Sequence, residues 1–286
     1  MKHLALIINE AQLDKLKIFY EPFMTTVSQP YVSFAAIHDQ TRITAFANGK
    51  IILQGDNSTN EYVLIRTILG QKNYSAIGSA VIGTEDIFGP LIVCTAYTST
   101  EDINFLRSFK INNIATLTNK QIIEIGPIIA KKFTHSITIL DPETYNSLIK
   151  NDFTVNRIKA RLFNLMFIKT SAKLKTEVPT LLEQFCLPTH YFNYLKDETF
   201  VFRDVYFSSE ATELNYSMLA ANIIARYAFI VNLHQLSKKL EIKLKLGHSK
   251  ETVEQFVELY HNLGATELTK IAKLNLKQVN KLNLKF

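Results

Sequence analysis

The sequence predicts an α/β protein: a mixed sheet carrying helices, preceded by a small α+β segment and followed by a helical C-terminal region. Three observations predict it. Beyond Ala76, strand-like runs (AIGSAVIG, SITILD) alternate with helix-like ones (IIEIGPIIAKKF, NRIKARLFNLMFIK), the pattern of helices packed on a mixed sheet. Between Tyr31 and Asp56 the text is β-rich and cut by turn residues. From Asn222 the apolar spacing becomes helical almost to the end, with Gly247 and Gly264 as interruptions.

The elements follow in chain order. Asn9 is placed to cap a helix whose apolar face includes Leu13, Leu16 and Phe19. Three strands follow, separated by turns at His38-Asp39-Gln40 and at Asn48-Gly49, the latter a strong hairpin signal. The polar stretch Asp56-Asn57-Ser58-Thr59-Asn60 reads as a linker, which divides the chain into residues 1–60 and 61–286.

Composition bounds the function. The 286 residues, 47% hydrophobic and 20% charged, suffice for a substantial core. No apolar run approaches the roughly 20 residues of a membrane helix, and the apolar stretch in MKHLALIINEAQ is too short for a secretion signal. The expectation is a cytoplasmic monomer that meets no membrane. Cys94 (LIVCTAY) and Cys186 (LEQFCLP) sit in apolar settings that suit reduced, buried thiols. A net charge of +6 permits a polyanionic partner.

Residues 77–90, IGSAVIGTEDIFGP, resemble the signature of bacterial ribonuclease HIII: an Asp-Glu pair ending a strand, a Gly-Thr-Gly turn, then Asp-aromatic-Phe-Gly-Pro. Gly78, Ser79, Gly83, Thr84, Asp86, Phe88, Gly89 and Pro90 match. PYVSFAA, ITAF, GK and LQG are similar to the small TATA-binding-protein-like domain of that family. YNSLIKN with NRIKARLFN, LLEQFCLP, and ANIIARYAF continue the resemblance in the same order. It implies a ribonuclease H-like fold for residues 61–286, with the helical C-terminal region as an extension, and a TATA-binding-protein-like domain over residues 1–60.

Hydrolysis of an RNA phosphodiester by the two-metal route requires carboxylate oxygens converging on two Mg²⁺ or Mn²⁺ ions. By the resemblance, the family's four ligand positions fall on Ala80, Val81, Glu183 and Thr212, with Glu213 adjacent to the last. Ala80 and Val81 cannot ligate, so Glu183 is the one clear survivor. The resemblance also implies that Gly83, Thr84 and Glu85 occupy the turn facing the RNA 2′-hydroxyl. Glu85 stands there for a glycine, adding bulk and negative charge. The family's Asp-Ser-Lys-Lys-Leu block reads here as Asn113-Ile114-Ala115-Thr116-Leu117, and Phe163 stands for a histidine beside a retained Asn164, which with Gly83, Thr84 and Glu85 is a candidate nucleic-acid contact by the resemblance. Asp86 is read as capping the turn.

The reading is a non-catalytic relative that binds nucleic acid, an RNA/DNA hybrid or duplex, with no cofactor. The competing reading is an active ribonuclease H with a rearranged set, Glu85, Asp86, Glu183 and Glu213, holding Mg²⁺ or Mn²⁺. The histidines, including His3, His38, His135 and His190, show no metal-like spacing, and no phosphate loop is present. Two basic clusters, Lys169, Lys173 and Lys175, and Lys238, Lys239, Lys243, Lys245 and Lys250, could contact phosphates or form solvated helix faces.

Overall fold

A computed structural model describes residues 3–27, 29–111, 114–208 and 215–286. The N-terminal part is a five-stranded antiparallel sheet in the order β1-β5-β4-β3-β2, built from β1 (His3–Ile7), β2 (Met24–Thr25), β3 (Val32–His38), β4 (Thr41–Phe46) and β5 (Lys50–Gln54). Both expected turns form. Asp39 and Gln40 take positive φ between β3 and β4, and Gly49 (φ 81°) closes the next hairpin beneath the Ile8 carbonyl.

Helix α1 (Glu10–Tyr20) starts at Asn9, whose side chain accepts from Gln12 N at 2.9 Å. Leu13 and Leu16 are buried as expected, but Phe19 is 37% exposed, and Tyr20 takes the third core position. The reason is helical phase: positions 13, 16 and 20 share one stripe, and position 19 falls off it. The Tyr20 hydroxyl donates to the buried Glu61, whose other carboxylate oxygen lies 2.9 Å from His38 Nδ1.

Glu61 belongs to α2 (Ser58–Ile68), so the stretch read as a linker runs into a helix with Ser58 and Thr59 buried. The polar residues misled because they form a helix start packed between two cores. Ile65 joins the N-terminal core, while Val63 packs with Tyr74, Ala76, Leu181 and Met218.

The larger part carries the antiparallel strands β6 (Ala76–Ile82), β7 (Leu91–Thr98) and β8 (His135–Leu140) in that order. On the free side of β6 lies β9 (Leu181–Glu183), itself parallel to β10 (Tyr206–Ser208). A parallel bridge from Ile77 to Thr180 and a 2.8 Å bond from Ser79 Oγ to Leu181 O join the two sheets. The mixed sheet of the expectation is thereby formed. One face bears α6 (Val155–Ser171) and α7 (Pro188–Tyr194). The other bears α3 (Ile103–Ser108), α4 (Asn119–Lys132) and the long α8 (Tyr216–Leu240). Helix α5 (Pro142–Lys150) meets α9 (Lys250–Thr269), and α10 (Lys277–Asn280) ends the fold.

Helix α8 is long and apolar enough to cross a membrane, but half of its apolar window is buried against the sheet and α4. It lies close to β6 because Gly78 has no Cβ: one placed there would stand 2.2 Å from Met218 N and 2.3 Å from Ser217 C. The interruptions expected at Gly247 and Gly264 occur, both with positive φ. Cys94 is buried, and its thiol pKa is pushed up by that burial. Cys186 is only partly buried, because it sits at the rim where β9 ends.

The C-terminal segment clamps the turn after β6. Lys273 N donates to Ile87 O, Gly89 N to Ile271 O, and the Lys273 ammonium to Gly89 O. Asn146 secures the segment by bonds to Thr269 O, Ala272 O and Leu274 N.

Two outcomes test this packing. Gly78→Ala should lower stability in urea unfolding by at least about 1–3 kcal/mol, since backbone on α8 must retreat. Burial pulls the Lys273 pKa down to about 7, with Asp86 opposing. The unfolded chain keeps this amine protonated to about 10.5, so it binds more protons than the folded one between these values. Stability should therefore rise with pH from about 7 to 10.5, by up to about 1.4 kcal/mol per pH unit from this group. Lys273→Met should flatten that rise.

Candidate functional site

The site assembles where β6 and β9 end side by side. Continuing the parallel register past the Ile77–Thr180 bridge sets Ala80 level with Glu183. The structure thus brings together three of the four positions singled out in the sequence. Thr212 and Glu213 lie outside the described residues, as does Asn113. Ala80 faces α8 within the main core, and Val81 faces α6 among Leu162 and its neighbours. Both side chains are apolar and packed. Glu183 is exposed at the strand end.

Sequence reasoning missed Lys159. It lies on the inner side of α6, 8% exposed, with its ammonium 4.1 Å from the centre of the Phe185 ring. It makes no hydrogen bond or ion pair among the described residues. Burial pulls its pKa below the ordinary lysine value, while Cys186 and Glu183 act in the opposite direction. Phe163, one turn on, stacks on Phe185 with centroids 5.8 Å apart, so the lysine stem runs along an aromatic wall. The only sequence signal was its helical phase with Phe163 and Phe167, and the basic residue on that apolar stripe.

The described donors do not suit a divalent ion. Such ions need several oxygen ligands, whereas the described positions here supply one carboxylate, an ammonium and two apolar side chains. Among the described residues no three His, Cys, Asp or Glu side chains converge.

The turn residues have other partners. Gly83 (φ 89°) lies under Pro90 O, where a Cβ would come within 2.2 Å, and beside Phe229. Thr84 is partly exposed and Glu85 exposed, and Glu85 takes its place without a positive φ. The Glu85 carbonyl lies 3.1 Å from His248 Nδ1, and Asp86 Oδ1 accepts from Gly247 N at 2.7 Å. Asp86 therefore braces the turn against the loop before α9. Asn164, read as a nucleic-acid contact, is buried: its amide donates to Phe200 O and accepts from Phe202 N, both at 2.8 Å. Those bonds use its polar atoms inside the fold. The segment Ile114–Leu117 is held by Arg226, which donates to both terminal carbonyls. Of the basic clusters, Lys173 is tied to His135 O and Ser136 Oγ, and Lys245 to Glu251 O, while Lys169 and Lys175 stay exposed.

Comparison with known proteins places this arrangement. The family model described as ribonuclease HII matches residues 77–279, and a domain of unknown function matches residues 3–64. The chain is 39% identical to a ribonuclease HIII of Phytoplasma mali over 287 aligned residues, covering all of both chains. It is 28% identical to that of Bacillus subtilis, covering 98% of this chain and 97% of the other. The solved structure of Bst-RNase HIII in complex with Mn²⁺ superposes with a TM-score of 0.71 at 27% identity, over 98% of this chain and 97% of that one. That of the Aquifex aeolicus enzyme, at 21% identity and a TM-score of 0.58, shares the fold. With its signature turn, its mixed sheet and a relative matched end to end, the chain belongs to the ribonuclease HIII family.

Proposed function

We propose that this chain binds nucleic acid, an RNA/DNA hybrid or a duplex, without cutting it. The observation that carries the reading is the pairing of Ala80 and Val81, which offer no metal donor, with the Lys159 ammonium near Glu183, which has no hydrogen bond or ion pair among the described residues. Four carboxylates at this place would repel phosphate until metal ions neutralised them. The one carboxylate and one ammonium among the described residues at this place carry no net charge, which lets a phosphate approach without metal. The net charge of +6 and membership of a nucleic-acid-handling family support the same partner.

The rearranged catalytic set has less support. Asp86 is engaged with Gly247, and Glu85 is exposed in the turn beyond the end of β6. Mg²⁺ or Mn²⁺ would be required only under that second reading.

Purified protein should bind a hybrid in EDTA, with affinity unchanged by Mg²⁺, and should cut neither the hybrid nor a single ribonucleotide in DNA with either metal. Lys159→Met should weaken binding about tenfold, the loss of one charge-assisted phosphate contact. Cleavage that co-purifies with the chain and disappears in Glu183→Ala would overturn the reading.

A further inference from the structure

A second concavity opens at the start of β6, roughly 20 Å along the strand from the signature turn. Arg66 from the end of α2, Lys72 and Asn73 from the connector, Arg107 from α3 and Tyr216 at the first position of α8 line a cavity of about 420 Å³. None of its described lining residues is acidic, and none of the three cations has an ion pair among the described residues. Three positive charges share one hollow with no countercharge among the described residues.

Two of them are held in place by neutral groups. Arg66 lies 4.9 Å from the Tyr62 ring centre and 5.9 Å from that of Tyr74, and donates to Tyr62 Oη and Gln71 Oε1. Arg107 donates through Nε to Tyr216 Oη at 3.0 Å and through Nη2 to Asn73 Oδ1 at 2.9 Å. These acceptors orient the guanidinium groups without discharging them. Each guanidinium has five N–H donors, so most remain unused, and Arg66 Nε is buried with no partner at all. Lys72 is exposed and its ammonium makes no bond. The N-terminal end of the 25-residue α8, with no acid in its first turn, adds partial positive charge at the same place.

Rigid guanidinium forks around a hollow that lacks acceptors match the tetrahedral oxygens of a phosphate. We infer that this cavity binds a phosphate oxyanion, supplied by a nucleic-acid strand or by a free phosphate compound. In the first case it extends the footprint proposed above to the junction of the two parts of the chain. In the second it stands independently of that reading.

The test uses the full chain with two probes, inorganic phosphate and a short fluorescein-labelled DNA duplex. Phosphate should raise the thermal midpoint relative to chloride at equal ionic strength, and the double variant Lys72→Gln, Arg107→Gln should lose that rise. If the source is a strand, the double variant should also bind the duplex at least about tenfold more weakly, with the salt slope reduced by about two. Lys72→Gln alone breaks no hydrogen bond and should show part of each loss, which guards against a misfolded Arg107 variant. Lys131→Gln, on the exposed end of α4, controls for net charge. Loss of the phosphate response with unchanged duplex binding supports a free compound; loss of duplex affinity and slope supports a strand. A wild type that binds neither this duplex nor an RNA/DNA hybrid would sink the function proposed above, and the phosphate response alone would then decide this site. No phosphate response in the wild type, together with duplex affinity and slope equal across the variants, would overturn the inference.

Discussion

The contact on which the rest of the fold depends is the close approach of α8 to β6 at Gly78. Backbone meets backbone there, and no side chain separates the helix from the strand. The approach brings Ala220, Ala221 and Ile224 into the main core opposite Ala80. It is repeated elsewhere on the same helix: Gly126 of α4 admits the Tyr227 ring, and the Gly83 and Gly89 turn backbone rests on Phe229. Small residues on three elements thus seat one apolar helix, and close packing of this kind tolerates little change in volume. That is why a helix apolar enough for a bilayer is instead the centre of a globular core.

From this axis the site acquires its character. Ala80 and Val81 are on opposite faces of β6, one filled by α8 and the other by α6. Apolar side chains there extend both cores to the strand end, where a metal-binding relative would need an open polar pocket. Lys159 is tolerated on the α6 side because its stem lies on aromatic rings and its ammonium reaches the rim near Glu183. The turn beyond β6 is fixed from a distance, by Lys273 and Gly247 from the C-terminal region. Its shape is therefore kept independently of the residues that would do chemistry.

The two parts of the chain are coupled through α2. Tyr20, His38 and Glu61 tie its first turn to the N-terminal sheet, while Val63 and Thr59 face the larger part, the latter through Asp204. A carboxylate this deeply buried requires its partners to remain in place. The basic hollow lies at the other end of the same helix, so its geometry depends on the junction being rigid.

The sequence by itself determined the succession of strands and helices, the turns at 38–40 and 48–49, the Asn9 cap and the signature block, because each is set by short-range periodicity and turn chemistry. It also determined that Ala80 and Val81 bring no ligand, since residue type alone decides that. Only the tertiary structure decided that Tyr20 displaces Phe19 from the core, that the polar stretch 56–60 becomes a buried helix start, and that Asn164 is used internally. It alone placed Lys159 beside Glu183 and gathered Arg66, Lys72 and Arg107 around one hollow. These pairings join residues tens of positions apart, and their partners are chosen by packing across elements, which no local pattern records.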